Sequence, residues 1–156
     1  IRKHCLWGTL LAGGAGVEYY FGYQLPQNDL VCEDWRSRDR SWDACRVALE
    51  FFQNEQIPFW EMRNANVLVG NVRNDHRRYC FAKVGELYLI FLPTGGSAEL
   101  DLQQVEGTFT VQWFNPRAGG KLVNGSVSRV RAGTSVDLGN PPRDETEDWL
   151  VVVKKP

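Results

Sequence analysis

The chain has 156 residues, 43% of them hydrophobic, 12% aromatic and 24% charged. Its 18 Lys and Arg against 19 Asp and Glu leave a net charge of −1, which excludes the basic field that nucleic acid or an anionic membrane surface would need. The apolar share is too high for a disordered chain, and no apolar run reaches the roughly 18 residues of a membrane span.

The chain opens Ile1-Arg2-Lys3-His4, with no initiator Met and no signal peptide, and we expect a piece of something longer. Leu6, Trp7, Leu10 and Leu11 follow helical spacing, which predicts a helix ending at Ala12-Gly13-Gly14. The aromatic run from Gly16 to Tyr23, bounded by glycines, predicts a buried strand. A long polar loop follows from Gln24 to Arg38, and then a helix from about Asp39 to Asn54. Trp42, Cys45, Leu49 and Phe52 form the apolar stripe predicted to face a core. This helix–strand–loop–helix order is the rhythm of an α/β barrel or a doubly wound sheet. A lone parallel strand needs neighbours, so residues 1–56 read as the terminal β/α unit of a truncated (β/α)8 barrel.

Residues 57–64 form a connector with Pro58 near its start, and the pattern then changes. Tyr79–Val84 and Leu87–Leu92 predict a hairpin joined by Gly85-Glu86 in a type II′ turn. Further strands are expected at Ala98–Leu102, Phe109–Phe114, Val127–Val130, Ser135–Leu138 and Trp149–Val153, separated by Pro- and Gly-rich breakers. Seven short strands without a helical pattern predict an antiparallel β-sandwich over residues 65–156. The fold class is therefore mainly β: a sandwich preceded by an α/β segment like the end of a TIM barrel.

Three runs carry a resemblance: Tyr88-Leu89-Ile90-Phe91-Leu92-Pro93-Thr94-Gly95-Gly96, then Val111-Gln112-Trp113-Phe114-Asn115-Pro116-Arg117-Ala118-Gly119, then Asp148-Trp149-Leu150-Val151-Val152-Val153. Together they resemble the small β-sandwich named the "putative collagen-binding domain of a collagenase". In such proteins this domain usually follows an apiosidase-like bacterial glycoside hydrolase barrel. Trp7–Gly16 and Arg38–Asp43 look like the last β/α unit of that barrel. The resemblance implies a secreted or periplasmic carbohydrate-active parent acting on a polysaccharide or glycan, with the sandwich bracing the barrel. Collagen enters as a partner through the family label alone, and the alternative reading is a collagen- or carbohydrate-binding module acting through the sandwich face. The two catalytic carboxylates of such enzymes sit on earlier barrel strands, so no catalytic residue is expected in this chain.

Glu18, in its apolar run near the carboxyl end of the predicted strand, is the acid best placed for a substrate cleft, and Asp34 is its candidate partner. The plainer alternative pairs Glu18 with an Arg and makes Asp34 a turn cap. Tyr19, Tyr20, Tyr23 and Trp35 are candidates for stacking on sugar rings, with Tyr23 and Trp35 equally suited to plain packing. Core burial accounts more simply for Phe21, Trp42, Phe51 and Phe52, and also for Trp113 and Trp149 on the strands.

No metal is expected. His4 and His76 stand 72 positions apart, the four Cys form no CxxC spacing, and Asp29, Glu33 and Asp34 lack EF-hand spacing. The Gly-rich run Gly13–Gly16 precedes its strand rather than following it, so no cofactor cradle is expected either. A Cys32–Cys45 bridge is conceivable in an exported protein. Residues 6–23 carry apolar surface meant for a missing barrel, and they are expected either to re-pack on the sandwich or to pair with a second copy.

Overall fold

The computed structural model describes residues 1–19 and 35–156. An N-terminal π-turn (Arg2–Trp7) runs straight into helix α1 (Gly8–Leu11), which ends where Gly13 takes φ 94°. A 3-10 turn (Trp35–Arg38) leads into helix α2 (Asp39–Asn54), and two more 3-10 turns, Phe59–Glu61 and Asn66–Val69, flank the short strand β1 (Arg63–Asn64). Strands β2 (Tyr79–Lys83), β3 (Leu87–Leu92), β4 (Glu99–Asp101), β5 (Thr108–Phe114), β6 (Arg129–Arg131), β7 (Ser135–Asp137) and β8 (Trp149–Lys154) complete the order.

The strands form a six-stranded antiparallel sheet, β1-β2-β3-β8-β5-β6, and a two-stranded sheet, β4-β7. The edge strands of the large sheet are short, and Arg63, Asn64, Arg129 and Arg131 on them are exposed, which blunts edge-to-edge pairing. At the centre, β3 is buried along its whole length. Alternation along the strands sends side chains to two different cores. Tyr88, Ile90 and Leu92, with Val111, Trp113, Trp149, Val151 and Val153, face the β4-β7 sheet and meet Leu100, Leu102 and Leu138. Leu89, Phe91, Phe81, Phe114, Leu150 and Val152 face the other way and meet the helices. The result is three layers: helices, large sheet, small sheet. Antiparallel β-structure dominates, as the alternating patterns predict.

The N-terminal segment is thus the second cover of the large sheet. Leu6, Trp7 and Leu11 from the first helix, and Ala44, Val47, Ala48 and Phe51 from α2, lie buried on it. Trp7 sits between the layers, with ring centroids 5.8–6.2 Å from Phe51, Phe52, Phe91 and Phe114. Gly8 allows this close approach, because a Cβ there would stand 3.2 Å from the Tyr79 ring. Of the two outcomes expected for residues 6–23, the apolar side chains of 6–11 show re-packing on the sandwich.

Three expectations are corrected. Gly16–Tyr19 form no strand: their backbone has no ladder partner, and Val17 and Tyr19 pack beside the helical core instead; the rest of that expected strand lies outside the described residues. In α2 the boundaries are as predicted, but the buried face is turned by one to two residues. Trp42 is 54% and Leu49 62% exposed, while Ala44, Val47, Ala48 and Phe51 are buried. The sheet takes the face on which Ala44, Val47 and Ala48 are small, with Phe51 packed against Trp7. Finally, the β2–β3 loop has three residues, with Lys83 paired to Leu87. The Glu86 N–H bonds the Lys83 carbonyl at 3.0 Å, and Gly85 sits third in that turn at φ 88°, the place where a type II rather than a type II′ turn requires glycine.

Candidate functional site

Three features stand out: one joins the helical layer to the large sheet, one lies within the sandwich, and one lies within the helical layer. The first is an ion pair across the two ends of the chain. Asp148, just before β8, is fully buried, and Arg2 donates to both its oxygens at 2.7 and 3.0 Å from the first turn of the N-terminal helix. Lys3 stands 3.9 Å from the same carboxylate. Next to it, the Tyr79 hydroxyl on β2 bonds His4 Nδ1 at 3.2 Å and His76 Nδ1 at 2.9 Å, bringing the two imidazole centroids to 5.1 Å. Partial burial, His76, Lys3 and the amino group of Ile1 hold His4 below its ordinary pKa, in that order of weight. Burial, then the charge of Asp75, pushes the Tyr79 phenol up.

A second feature is built by the Trp-Phe-Asn-Pro-Arg run. Asn115 Oδ1 accepts from the backbone N–H groups of Arg117 and Ala118 at 2.9 and 3.3 Å, making an Asx turn around Pro116. That turn lays the Arg117 guanidinium over the Trp149 ring, 5.4 Å from its centroid, and within 3.1 Å of Asp144 and 3.5 Å of Glu147. Trp149 in turn meets Trp113 edge-on at 6.2 Å. Both indoles are fully buried, so they are core and not sugar platforms.

The third is an apolar cleft of about 360 Å³ between the N-terminal segment and α2, lined by Leu6, Leu10, Val17, Cys45, Leu49 and Phe52 among others. Its floor is aliphatic and aromatic, and among the described residues its lining holds no carboxylate. Tyr19 lies at its side, with its hydroxyl 3.8 Å from the Cys45 thiol, and burial together with that contact pushes the phenol up. The Cys45 thiol is free, so it makes no bridge here; Cys32 lies outside the described residues.

The profile of the family described as "Putative collagen-binding domain of a collagenase" matches residues 64–154, more than half of the chain. The chain belongs to that family. The match runs from the last residue of β1 through β8 and includes both the Arg117–Trp149 contact and Asp148. No curated protein sequence matches the chain. Among solved structures, one titled "Glycoside hydrolase" is similar with a TM-score of 0.69 at 14% identity, over 99% of this chain and 36% of that one. A glycoside hydrolase family 5 structure from Bacteroides vulgatus is similar with a TM-score of 0.69 at 13% identity, over 99% of this chain and 35% of the other. At these identities the likeness is one of fold, and the chain spans about a third of the length of the structures it matches.

The residues singled out for a substrate cleft are placed unevenly. Glu18 is exposed on the irregular stretch after α1, one residue from half-buried Tyr19. Trp35 opens the 3-10 turn before α2. Tyr23 and Asp34, along with Tyr20, lie outside the described residues. Among the described residues no three His, Cys, Asp or Glu gather as a metal site. Sequence reasoning misses Arg2, Asp148, His4, His76 and Tyr79. The only two histidines stand 72 residues apart in sequence, yet the fold makes them neighbours, and no local signal announces it.

Proposed function

We propose that the chain is the C-terminal part of an apiosidase-like, secreted or periplasmic glycoside hydrolase, in which its sandwich braces a catalytic barrel and is not itself catalytic. The parent substrate on this reading is a polysaccharide or glycan side chain, with Glu18, Tyr19, Tyr23, Asp34 and Trp35 as the residues assigned to the edge of its cleft. Family membership and the glycoside hydrolase fold likeness support the reading. The observation that carries it is the two-sided burial of the large sheet: helices cover one face, β4-β7 the other, and Tyr88, Phe109, Trp113 and Trp149 are all enclosed. A binding module needs an exposed aromatic row, and among the described residues no such row runs across these sheets. The exposed apolar side chains of α2, Trp42 and Leu49, stand instead on the outer side of the helical layer, Leu49 at the cleft, where the rest of a larger protein would dock.

The test is a pair of assays on the purified chain. Incubation with an aryl glycoside panel and plant glycans is expected to release no sugar, whereas the same protein extended through its natural upstream segment is expected to hydrolyse one of them. Collagen and glycan arrays are expected to show no retention. Saturable binding lost in Trp60→Ala, which removes an indole 81% exposed, would replace the bracing role with a binding role.

A further inference from the structure

The two histidines of the chain converge on one phenol, and the segments that carry them also hold Lys3, Arg77 and Arg78 beside the paired carboxylates Asp75 and Asp148. His4 lies in the π-turn Arg2–Trp7, and His76 lies in the loop before β2. That loop is held in shape by Asn71, whose Nδ2 donates to the carbonyls of Asp75 at 2.9 Å and Arg78 at 2.6 Å, while its Oδ1 accepts from the Asp75 N–H at 2.9 Å. His76 is therefore presented from a framed loop, and Tyr79 from a buried strand stacked on Phe91 at 6.1 Å. We propose that the His4–Tyr79–His76 bridge is a pH-sensitive clasp, which fastens the N-terminal helix to the sheet at neutral pH and loosens it in mild acid.

With both rings neutral, the phenol satisfies both: its O–H donates to one Nδ1, and its oxygen accepts from the Nδ1–H of the other. This needs opposite tautomers on the two rings. With both rings protonated, both Nδ1 atoms become donors, the phenol proton loses its acceptor, and two imidazolium charges stand about 5 Å apart. The N-terminal segment adds Arg2 and Lys3; the loop adds Arg77 and Arg78. The Cys5 thiol follows His4 directly in the same turn. The two nearby carboxylates are already engaged: Asp75 by Arg77, with Arg77 Nε 2.7 Å from its Oδ2, and Asp148 by Arg2 and Lys3. Among the described residues, second protonation therefore finds no free anion to offset it.

The sign follows from His4, which folding holds below its ordinary value of 6.5. The unfolded chain then binds more protons than the folded one in mild acid. The clasp's contribution is complete above about 6.5 and is lost as pH falls through the folded value. His4 stands three residues before Trp7, so loosening acts on the buried anchor of the helical layer.

Imidazole NMR titrations of the chain from pH 8 to 4.5, with amide exchange of residues 4–11, test the idea. His4 is expected to titrate below 6.5, and its midpoint to rise in His76→Gln. Exchange protection of residues 4–11, corrected for intrinsic rates, is expected to fall about tenfold from pH 7.5 to 5, because protonation then favours the locally opened segment. In His4→Gln/His76→Gln it is expected to change less than about threefold, with the fold kept at neutral pH because both rings are exposed. A His4 midpoint at its ordinary value, or one unmoved by His76→Gln, would overturn the proposal, as would an equal acid response in the double variant. Should the double variant fail to fold, the midpoints of the unaltered chain decide alone.

Discussion

Replacing Trp7 by Ala tests whether the N-terminal segment and the sandwich share one core. The indole is fully buried between α2 and the large sheet, against four phenylalanine rings. A tryptophan side chain hides up to about 250 Å², and at ~25 cal/mol per Å² its removal from water contributes about 6 kcal/mol as an upper bound. Residual burial in the unfolded chain lowers that figure. So does the indole N–H, which is buried without an acceptor and carries a desolvation cost of about 1–3 kcal/mol. The net expectation for Trp7→Ala is a loss of about 3–5 kcal/mol, the range of large-to-small core changes. Trp7→Phe should cost clearly less, since it also deletes the orphaned donor. Trp42→Ala, on the exposed side of α2, should cost under about 1 kcal/mol. Urea unfolding followed by far-UV circular dichroism measures all three, with m near-constant as the check on two-state behaviour. A loss below about 1 kcal/mol for Trp7→Ala, or a loss for Trp42→Ala that exceeds it, would refute the shared core.

Two further outcomes are expected. Arg2→Ala strands the buried Asp148 carboxylate with only Lys3 at 3.9 Å; because Arg2 itself is about a third exposed, the loss should be about 1–3 kcal/mol rather than that of a fully buried pair. Asp148→Asn leaves no buried charge and should cost less in the same urea experiment; equal or greater cost would remove the ion pair from the account. Thiol labelling should separate the cysteines: exposed Cys5 should react with a disulfide reagent at about pH 8 in the native chain, while Cys80, whose thiol burial pushes far up, should react only on unfolding. Rapid native labelling of Cys80 would contradict its placement between the sheets.

Much of the β-layer was legible because a strand writes its environment into alternate residues. The alternation in Phe109, Val111 and Trp113 marks one buried face, and the unbroken apolar run of β3 marks two. The α2 boundaries were legible for a similar reason, through helical periodicity. Which face of α2 would be buried was not. Trp42-Cys45-Leu49-Phe52 and Ala44-Val47-Ala48-Phe51 both have helical spacing, and choosing between them depends on how closely the sheet approaches. The apolar cleft between the N-terminal segment and α2 was not legible, and the assignment of Glu18 and Tyr19 to a substrate cleft rested on an expected strand that does not form at residues 16–19.

By itself, the sequence determined seven of the eight strands, the α2 span and the family, because these rest on periodicities and runs carried within a few residues; β1, within the expected connector, was missed. The tertiary structure alone decided that the N-terminal segment is the lid of the large sheet, that Arg2 reaches Asp148 across 146 positions, and that His4 and His76 share one hydroxyl. Contacts at such separations leave no local pattern, since they are set by where the layers bring distant segments to rest. The near-neutral charge is likewise a sum over the chain, and only folding brings the segment of Lys3 and His4 against that of His76 and Arg77.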